Sequence, residues 1–244
     1  MPSFDDVVLN NWASRFGCPV DRLMQSGTTL LPDEKYAGQR LLILWHIGKH
    51  TFVLFDPACS ASVNAVIARL PSDASIAGEN VRGVLGANAI ESHDVGLLHY
   101  LRPDELPNLP TPPSFHVRQL TLADREALAT LHQNCTPAEV DEGYVEVDHE
   151  IAFGCFRGDQ MVAAASGYRL SGFLDIGVLT HAGFRKLGLA KLVVGALCRW
   201  SIANDIIAQY RCDTQNSGSV GVAKALNFRH YFSSESILLR TGAT

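Results

Sequence analysis

Apolar residues recur along this chain in two rhythms, and the places where one gives way to the other outline its elements. RLLILWHIGKHTFVLFDP, residues 40–57, is rich in β-branched and aromatic residues and is broken only at Gly48, which predicts a hairpin turning there. In SASVNAVIARL, Val63, Val66, Ile67 and Leu70 fall at helical spacing, and GENVRGVLGA at 78–87 predicts a second helix. WASRFG and VDRLMQSG predict a short helical start, and VGLLHYL at 95–101 a further strand. The first half therefore reads as α+β.

The second half opens with FHVRQLTLADREALATLHQNC, a strand at 115–118 followed by a helix. Thr121 is its cap candidate, with Asp124 three residues on, and Leu122, Ala127, Leu128 and Leu131 form its apolar stripe. After the polar stretch TPAEVDEGYVEVDH come three strand-like runs, EIAFGCF, MVAAASGYRL and FLDIGVLT, with turns at 157–159 and 171–172. LAKLVVGALCRWSIAN then places Leu189, Val193, Ala196, Leu197, Trp200 and Ala203 on one helix face. IIAQYRC predicts a strand, SGSVGVAKALNF a helix ending at Asn227, and HYFSSESILLR a final strand or hairpin. The expected order is β-α-β-β-β-α-β-α-β.

Composition narrows this picture. The 244 residues suit one large domain or two modest ones, and 47% hydrophobic with 18% charged residues marks a compact globular chain. Five prolines crowd 103–113, an expected extended connector, so the boundaries read as an N-terminal α+β domain at 1–104, a linker at 105–114 and a second domain at 115–244. A net charge of -5 offers no basic field for a phosphate backbone, so nucleic acid is not an expected partner. No apolar run reaches the roughly 20 residues needed to cross a bilayer, and MPSFDDVVLNNW is acidic, so the expectation is a cytoplasmic protein without a membrane partner. Six scattered cysteines show no paired spacing, and His46 and His50 lie on the two arms of the hairpin, so no metal is expected.

The chemistry concentrates in HAGFRKLGLA, residues 181–190, between FLDIGVLT and the long helix. A strand that feeds a helix through a glycine turn leaves several amides without partners, and with the helix dipole behind them they form an anion site. Gly188 lets the backbone approach a phosphate, while Arg185, Lys186 and Lys191 supply charge at its rim. A Walker loop and a dinucleotide fingerprint are both absent. The Arg185-x-x-Gly188-x-Ala190 pattern instead resembles the acyl-CoA pyrophosphate loop of the GNAT superfamily of N-acetyltransferases. Asn216 and Ser219 before Leu226-Asn227-Phe228, and the opening FHVRQLTLADREAL, are similar to further elements of that family. The segment YRCDTQNSGSVGVAKALNF is most similar to acetyltransferases of the zwittermicin-resistance type.

The resemblance implies an α/β protein with a mixed sheet, its C-terminal half an acyl-CoA N-acyltransferase fold and its N-terminal half an α+β domain, read also as a diverged copy of that fold. It implies transfer of an acetyl group from acetyl-CoA, as co-substrate and with no metal, to an amine of a small molecule or peptide. Val178, Leu179 and Thr180 are then expected along pantetheine. Lys186, Leu187, Gly188, Leu189, Ala190 and Lys191, with Arg185, are expected at the pyrophosphate, Asn216 at the pantetheine or its thiol end, and Ser219 with it in the cofactor site. An ammonium must lose a proton before it attacks, and Asp175 is the first candidate base, with Glu150, Glu146 and Asp148 as alternatives. The tyrosine that many members place seven residues beyond the asparagine is Ala223 here. A non-catalytic acyl-CoA sensor and a self-immunity or scaffold protein remain alternatives, as do monomer and homodimer.

Overall fold

The computed structural model of the protein describes residues 2–242. In chain order its elements are α1 (Phe4–Arg15), α2 (Val20–Leu23), β1 (Gly27–Pro32), β2 (Leu41–Ile47), β3 (His50–Phe55), α3 (Ser60–Ile67), α4 (Gly78–Leu85) and β4 (Ile90–Tyr100). There follow β5 (His116–Gln119), α5 (Arg125–Gln133), α6 (Pro137–Gly143), β6 (Ile151–Arg157), β7 (Gln160–Leu170), β8 (Phe173–Thr180), α7 (Leu189–Ala203), β9 (Ala208–Asp213), α8 (Ser217–Ala225) and β10 (Arg229–Leu239). The fold is mixed α/β, and no helix among the described residues is long and apolar enough to cross a membrane.

Two compact units divide the chain. The first holds the residues up to Leu98 together with Cys212–Gln215 and the segment from His230 onward. Its strands run β1-β3-β2-β10-β4, with β1 parallel to β3 and the pairs β2/β3 and β2/β10 antiparallel. Leu42, Leu44, Val53, Phe55 and Ile237 pack with Val63, Val66 and Val81 of α3 and α4 into one apolar cluster. Trp12 of α1 sits against Trp45 and Phe232, at ring separations of 5.2 and 6.2 Å. The expected hairpin is β2/β3, and the final segment is one long strand that pairs with β2, because its Ile237 and Leu239 complete this core.

The second unit comprises His99–Arg211 and Asn216–Arg229, so the proline-rich segment lies inside it. Its strands run β9-β8-β7-β6-β5, a meander in which only the β8/β9 pair is parallel, joined through α7. The β7/β8 hairpin turns at Ser171 and Gly172, both with positive φ, as a two-residue loop of this hand requires. Leu120, Leu128, Leu131, Ala164 and Leu179 share one cluster, which places α5 on the face that carries Ala164 and Leu179. Leu192, Val193, Val194, Leu197 and Cys198 of α7 are all buried, and α7 packs on β6, β7 and β8.

The helix α6 arises in the stretch read from sequence as merely polar. Thr136 accepts the Glu139 amide at 3.3 Å, Glu139 returns a carboxylate to the Thr136 amide at 2.8 Å, and Pro137 opens the helix. That box is legible in Thr-Pro-x-Glu; what hides it is the acidic, weakly amphipathic run that follows.

Candidate active site

The site lies in the second unit and begins with the way β8 ends. The parallel ladder pairs Leu174 with Ala208, Asp175 with Gln209 and Ile176 with Tyr210, and stops there. Gly177–Thr180 continue as strand, bound on the β7 side only, from Ser166↔Gly177 to Ala163↔Thr180. Successive strand residues face opposite sides, so Val178 and Thr180 present an unladdered edge on the β9 side, where an extended ligand arm can add hydrogen bonds, while Leu179, like His181, faces β7.

Beyond β8 the chain turns through Ala182–Phe184 and reaches α7 by way of two left-handed residues, Lys186 at φ 63° and Gly188 at φ 79°. Gly188 is the N-cap and has no side chain to offer. No other side chain caps α7, and among the described residues the amides of Leu189 and Ala190 find no acceptor. Arg185, Lys186 and Leu187 are exposed, while Leu189 is buried and fixes the helix start. A Cβ at Gly188 would stand 3.2 Å from Lys191 Cε, so the missing side chain keeps the space in front of these amides clear. The fit to a diphosphate is good: uncapped donors, a positive helix end and three cations. Arg185, however, is held by Glu139 of α6 at 2.8 Å, and its Nε reaches the Thr180 carbonyl at 3.5 Å.

Asn216 caps α8, its Oδ1 accepting the Ser219 amide at 3.0 Å, while its Nδ2 reaches Glu142 at 3.4 Å. Ser219 Oγ lies 3.1 Å from the hydroxyl of Tyr210, which is 1% exposed. Ala223 is buried, so the helix carries no hydroxyl at that position.

Asp175 is the most heavily engaged carboxylate of the unit. Arg211 Nε donates to both its oxygens at 3.0 Å, Gln209 Nε2 donates to Oδ1 at 2.9 Å, and the Tyr168 hydroxyl donates to Oδ2 at 2.8 Å. The Tyr100 hydroxyl in turn donates to Gln209 at 2.6 Å. Burial and the Asp175 charge push the Tyr168 hydroxyl up to about 12. Burial works against the Arg211 charge, yet Asp175 outweighs it and the net shift is upward. Glu150 is likewise paired, accepting from Arg169 Nε at 2.7 and 3.0 Å.

Sequence reading missed a group that the topology gathers opposite Gly177. Ser166 and Tyr168 alternate with Ala164 on one face of β7, and directly opposite residues of an antiparallel pair share a face, so Ser166, Tyr168, Asp175 and Gly177 lie together. A Cβ at Gly177 would come within 1.9 Å of the Gly143 carbonyl, so the end of α6 rests on β8 at the point where the ladder stops. Tyr144, left-handed at φ 41°, follows there and is half exposed. Its ring lies 4.9 Å from His149 and 5.3 Å from Tyr168, and His149 lies 5.2 Å from Tyr168. Burial pushes the His149 imidazole down, against the pull of Glu146 and Asp148. The legible signal was the polar pair Ser166 and Tyr168 inside the apolar run MVAAASGYRL.

His46 and His50 belong to the first unit and have separate partners: His46 bonds Glu235 at 2.8 Å, and His50 bonds Thr29 at 2.8 Å. No group of three metal-ligating side chains suited to a metal ion occurs among the described residues.

Comparison with known proteins follows the same geometry. The GNAT acetyltransferase family matches residues 148–233, from just before β6 into β10. Among solved structures, the chain is similar to an acetyltransferase from the GNAT family of Colwellia psychrerythraea, at 14% identity over 77% of this chain and 76% of that one, with a TM-score of 0.51. A functionally unknown conserved protein from Staphylococcus epidermidis matches at 10% identity over 69% of each chain, with a TM-score of 0.52. The chain spans 66%, just under two thirds, of the length of a structure from Novosphingobium aromaticivorans, which covers 62% of this chain at 16% identity and a TM-score of 0.47. At such identities the likeness is one of fold. No curated protein sequence matches. The family match thus spans the β6–β8 meander and the β8 strand released from β9, and over residues 148–233 this chain is similar to the GNAT acetyltransferases.

Proposed function

We propose that the chain is an acetyl-CoA-dependent N-acetyltransferase that acts on an amine of a small molecule or peptide. The observation that carries this reading is the release of β8 from β9 after Ile176↔Tyr210, directly ahead of a helix whose first amides are uncapped. Acetyl-CoA supplies the activated acyl carbon when bound. Val178 and Thr180 offer the β8 backbone edge to its pantetheine arm, and the amide of Val178 stabilises charge on the acyl oxygen. The amides of Gly188 to Ala190, with Arg185, Lys186 and Lys191, hold the diphosphate, while Leu187 and Leu189 set the loop. Asn216 and Ser219 fix the start of α8 beside this edge.

In this reading Asp175 and Glu150 keep the strands in register and do not take the proton of the acceptor, because both are already bound by guanidinium groups. The test is a screen of amine classes for CoA release from acetyl-CoA, run beside a thermal-shift titration with acetyl-CoA, which stabilises a fold that binds it. A second reading, an acyl-CoA sensor without turnover, is favoured by the buried Ala223, which supplies no acid for the departing thiolate. A sensor is stabilised by acetyl-CoA and releases no CoA with any amine; a protein that acetyl-CoA does not stabilise refutes both readings.

A further inference from the structure

Six carboxylates crowd residues 139–150, and sorting them by partner singles one out. Glu139 is paired with Arg185, Asp148 with Arg125 at 3.6 Å, and Glu150 with Arg169. Glu142 accepts from Asn216, and Asp141 lines a surface depression with His132, Cys135 and Val140. Glu146 is half-buried and its carboxylate has no hydrogen-bond or cationic partner among the described residues. Its backbone is fixed at the site, because its amide donates to Ser166 Oγ at 3.1 Å and Ser166 stands opposite Gly177, the first residue of β8 beyond the ladder.

His149 is the obvious rival, and its hydrogen bond argues against it. Ser166 is fully buried, and its hydroxyl oxygen already accepts from Glu146. The one acceptor left for the hydroxyl hydrogen among the described residues is His149 Nδ1, at 2.8 Å. The hydroxyl therefore donates to Nδ1, and the neutral ring carries its proton on Nε2. Placing the lone pair on Nε2 instead would strand a buried hydroxyl donor, at a cost of about 1–3 kcal/mol.

We propose that Glu146 is the catalytic residue that takes the proton from the acceptor's ammonium group, in a subsite where the cation lies against the rings of Tyr144, His149 and Tyr168. The inference rests on the acetyltransferase reading above and names the part of that site that receives the amine. The ring faces attract a cation, and neutral His149 adds no repulsion. The charged and titratable groups around His149 are Glu146 and Asp148, which both act on it, Arg125 of α5 paired with Asp148, Tyr168 of β7 at a ring separation of 5.2 Å, and, bonded to Tyr168, the Asp175–Arg211 pair. The ammonium gives one proton to Glu146; the freed lone pair forms the C–N bond at the acyl carbon, and the C–S bond breaks with its electron pair on sulfur. The nitrogen's second proton ends on that sulfur through solvent, and Glu146 returns its proton to water. In sum, an ammonium and acetyl-CoA give an amide, CoA thiol and one proton.

The full chain and its Glu146→Gln variant are assayed with benzylamine, an ammonium at neutral pH, and 4-methoxyaniline, a free amine there. Expected is a 10²- to 10⁴-fold loss of kcat/KM with benzylamine and a loss below about threefold with 4-methoxyaniline. Benzylamine turnover by the variant recovers toward pH of about 10, where the amine deprotonates unaided. Equal losses with both amines, or no recovery, overturn the role of Glu146. Independently of turnover, calorimetry compares choline with its uncharged isostere 3,3-dimethylbutan-1-ol. Choline binds at least tenfold more tightly, and Tyr144→Asn, which tolerates the left-handed backbone, removes most of that difference. Equal binding, or a protein that binds acetyl-CoA but neither choline nor either amine, overturns the subsite. A protein that does not bind acetyl-CoA overturns instead the reading beneath it.

Discussion

Replacing Asp175 by Asn changes one oxygen to a nitrogen at the best-connected polar group of the second unit, and the structure fixes what this should cost. The carboxylate is 4% exposed and receives Arg211, Gln209 and Tyr168 on two oxygens. An amide offers one oxygen, and its NH₂ group would face donors. Breaking a fully buried ion pair costs about 3–5 kcal/mol. Arg211 is 41% exposed, so water can take over part of its partner's role, and the figure falls to roughly 2–3 kcal/mol. At about 2–4 °C per kcal/mol for a chain of this size, the melting temperature should drop by roughly 4–12 °C in scanning calorimetry. Turnover measured well below that transition should remain within about threefold of the parent. A variant that melts within about 1 °C of the parent and has lost a hundredfold or more in kcat would refute the structural role and return Asp175 to proton transfer.

Three further outcomes test other parts of the structure. Gly177→Ala puts a methyl group 1.9 Å from the Gly143 carbonyl, so α6 must lift from β8; the expected loss is about 1–3 kcal/mol or more in denaturant unfolding, with a raised KM for amine, and unchanged stability would disprove the close approach. Glu139→Gln releases Arg185 from its competing carboxylate and should tighten CoA binding about two- to fivefold by calorimetry; weaker binding would show that the pair assists the site instead. In the first unit, burial alone would raise the Glu235 carboxyl, but hydrogen bonds from His46, the Gly78 amide and His93 outweigh it and bring it from 4.5 to about 2. A lowered carboxyl stabilises the fold above its unfolded value and loses that contribution as pH falls, so stability should decline by about 2–4 kcal/mol between pH 4.5 and 2, and Glu235→Gln should remove this slope.

Local pattern determined much of this protein on its own. The β2/β3 hairpin, the β6–β7–β8 meander and α7 follow from alternation, glycine turns and a helical apolar face, which act over a few residues. The frame of the proposed anion cradle was legible for the same reason, since a strand, a left-handed glycine and a helix start are consecutive in sequence. Tertiary structure alone decided which strands became neighbours: β10 closes the first unit because Ile237 and Leu239 find Leu42 and Leu44 there, a choice that no local pattern encodes. It also decided the fate of the carboxylates. Asp175, Glu150 and Glu146 look alike in the chain, and only folding gives Arg211 to the first, Arg169 to the second and, among the described residues, no cation to the third. A residue's chemistry depends on partners tens of positions away, and the backbone of β7, β8 and β9 sets those distances.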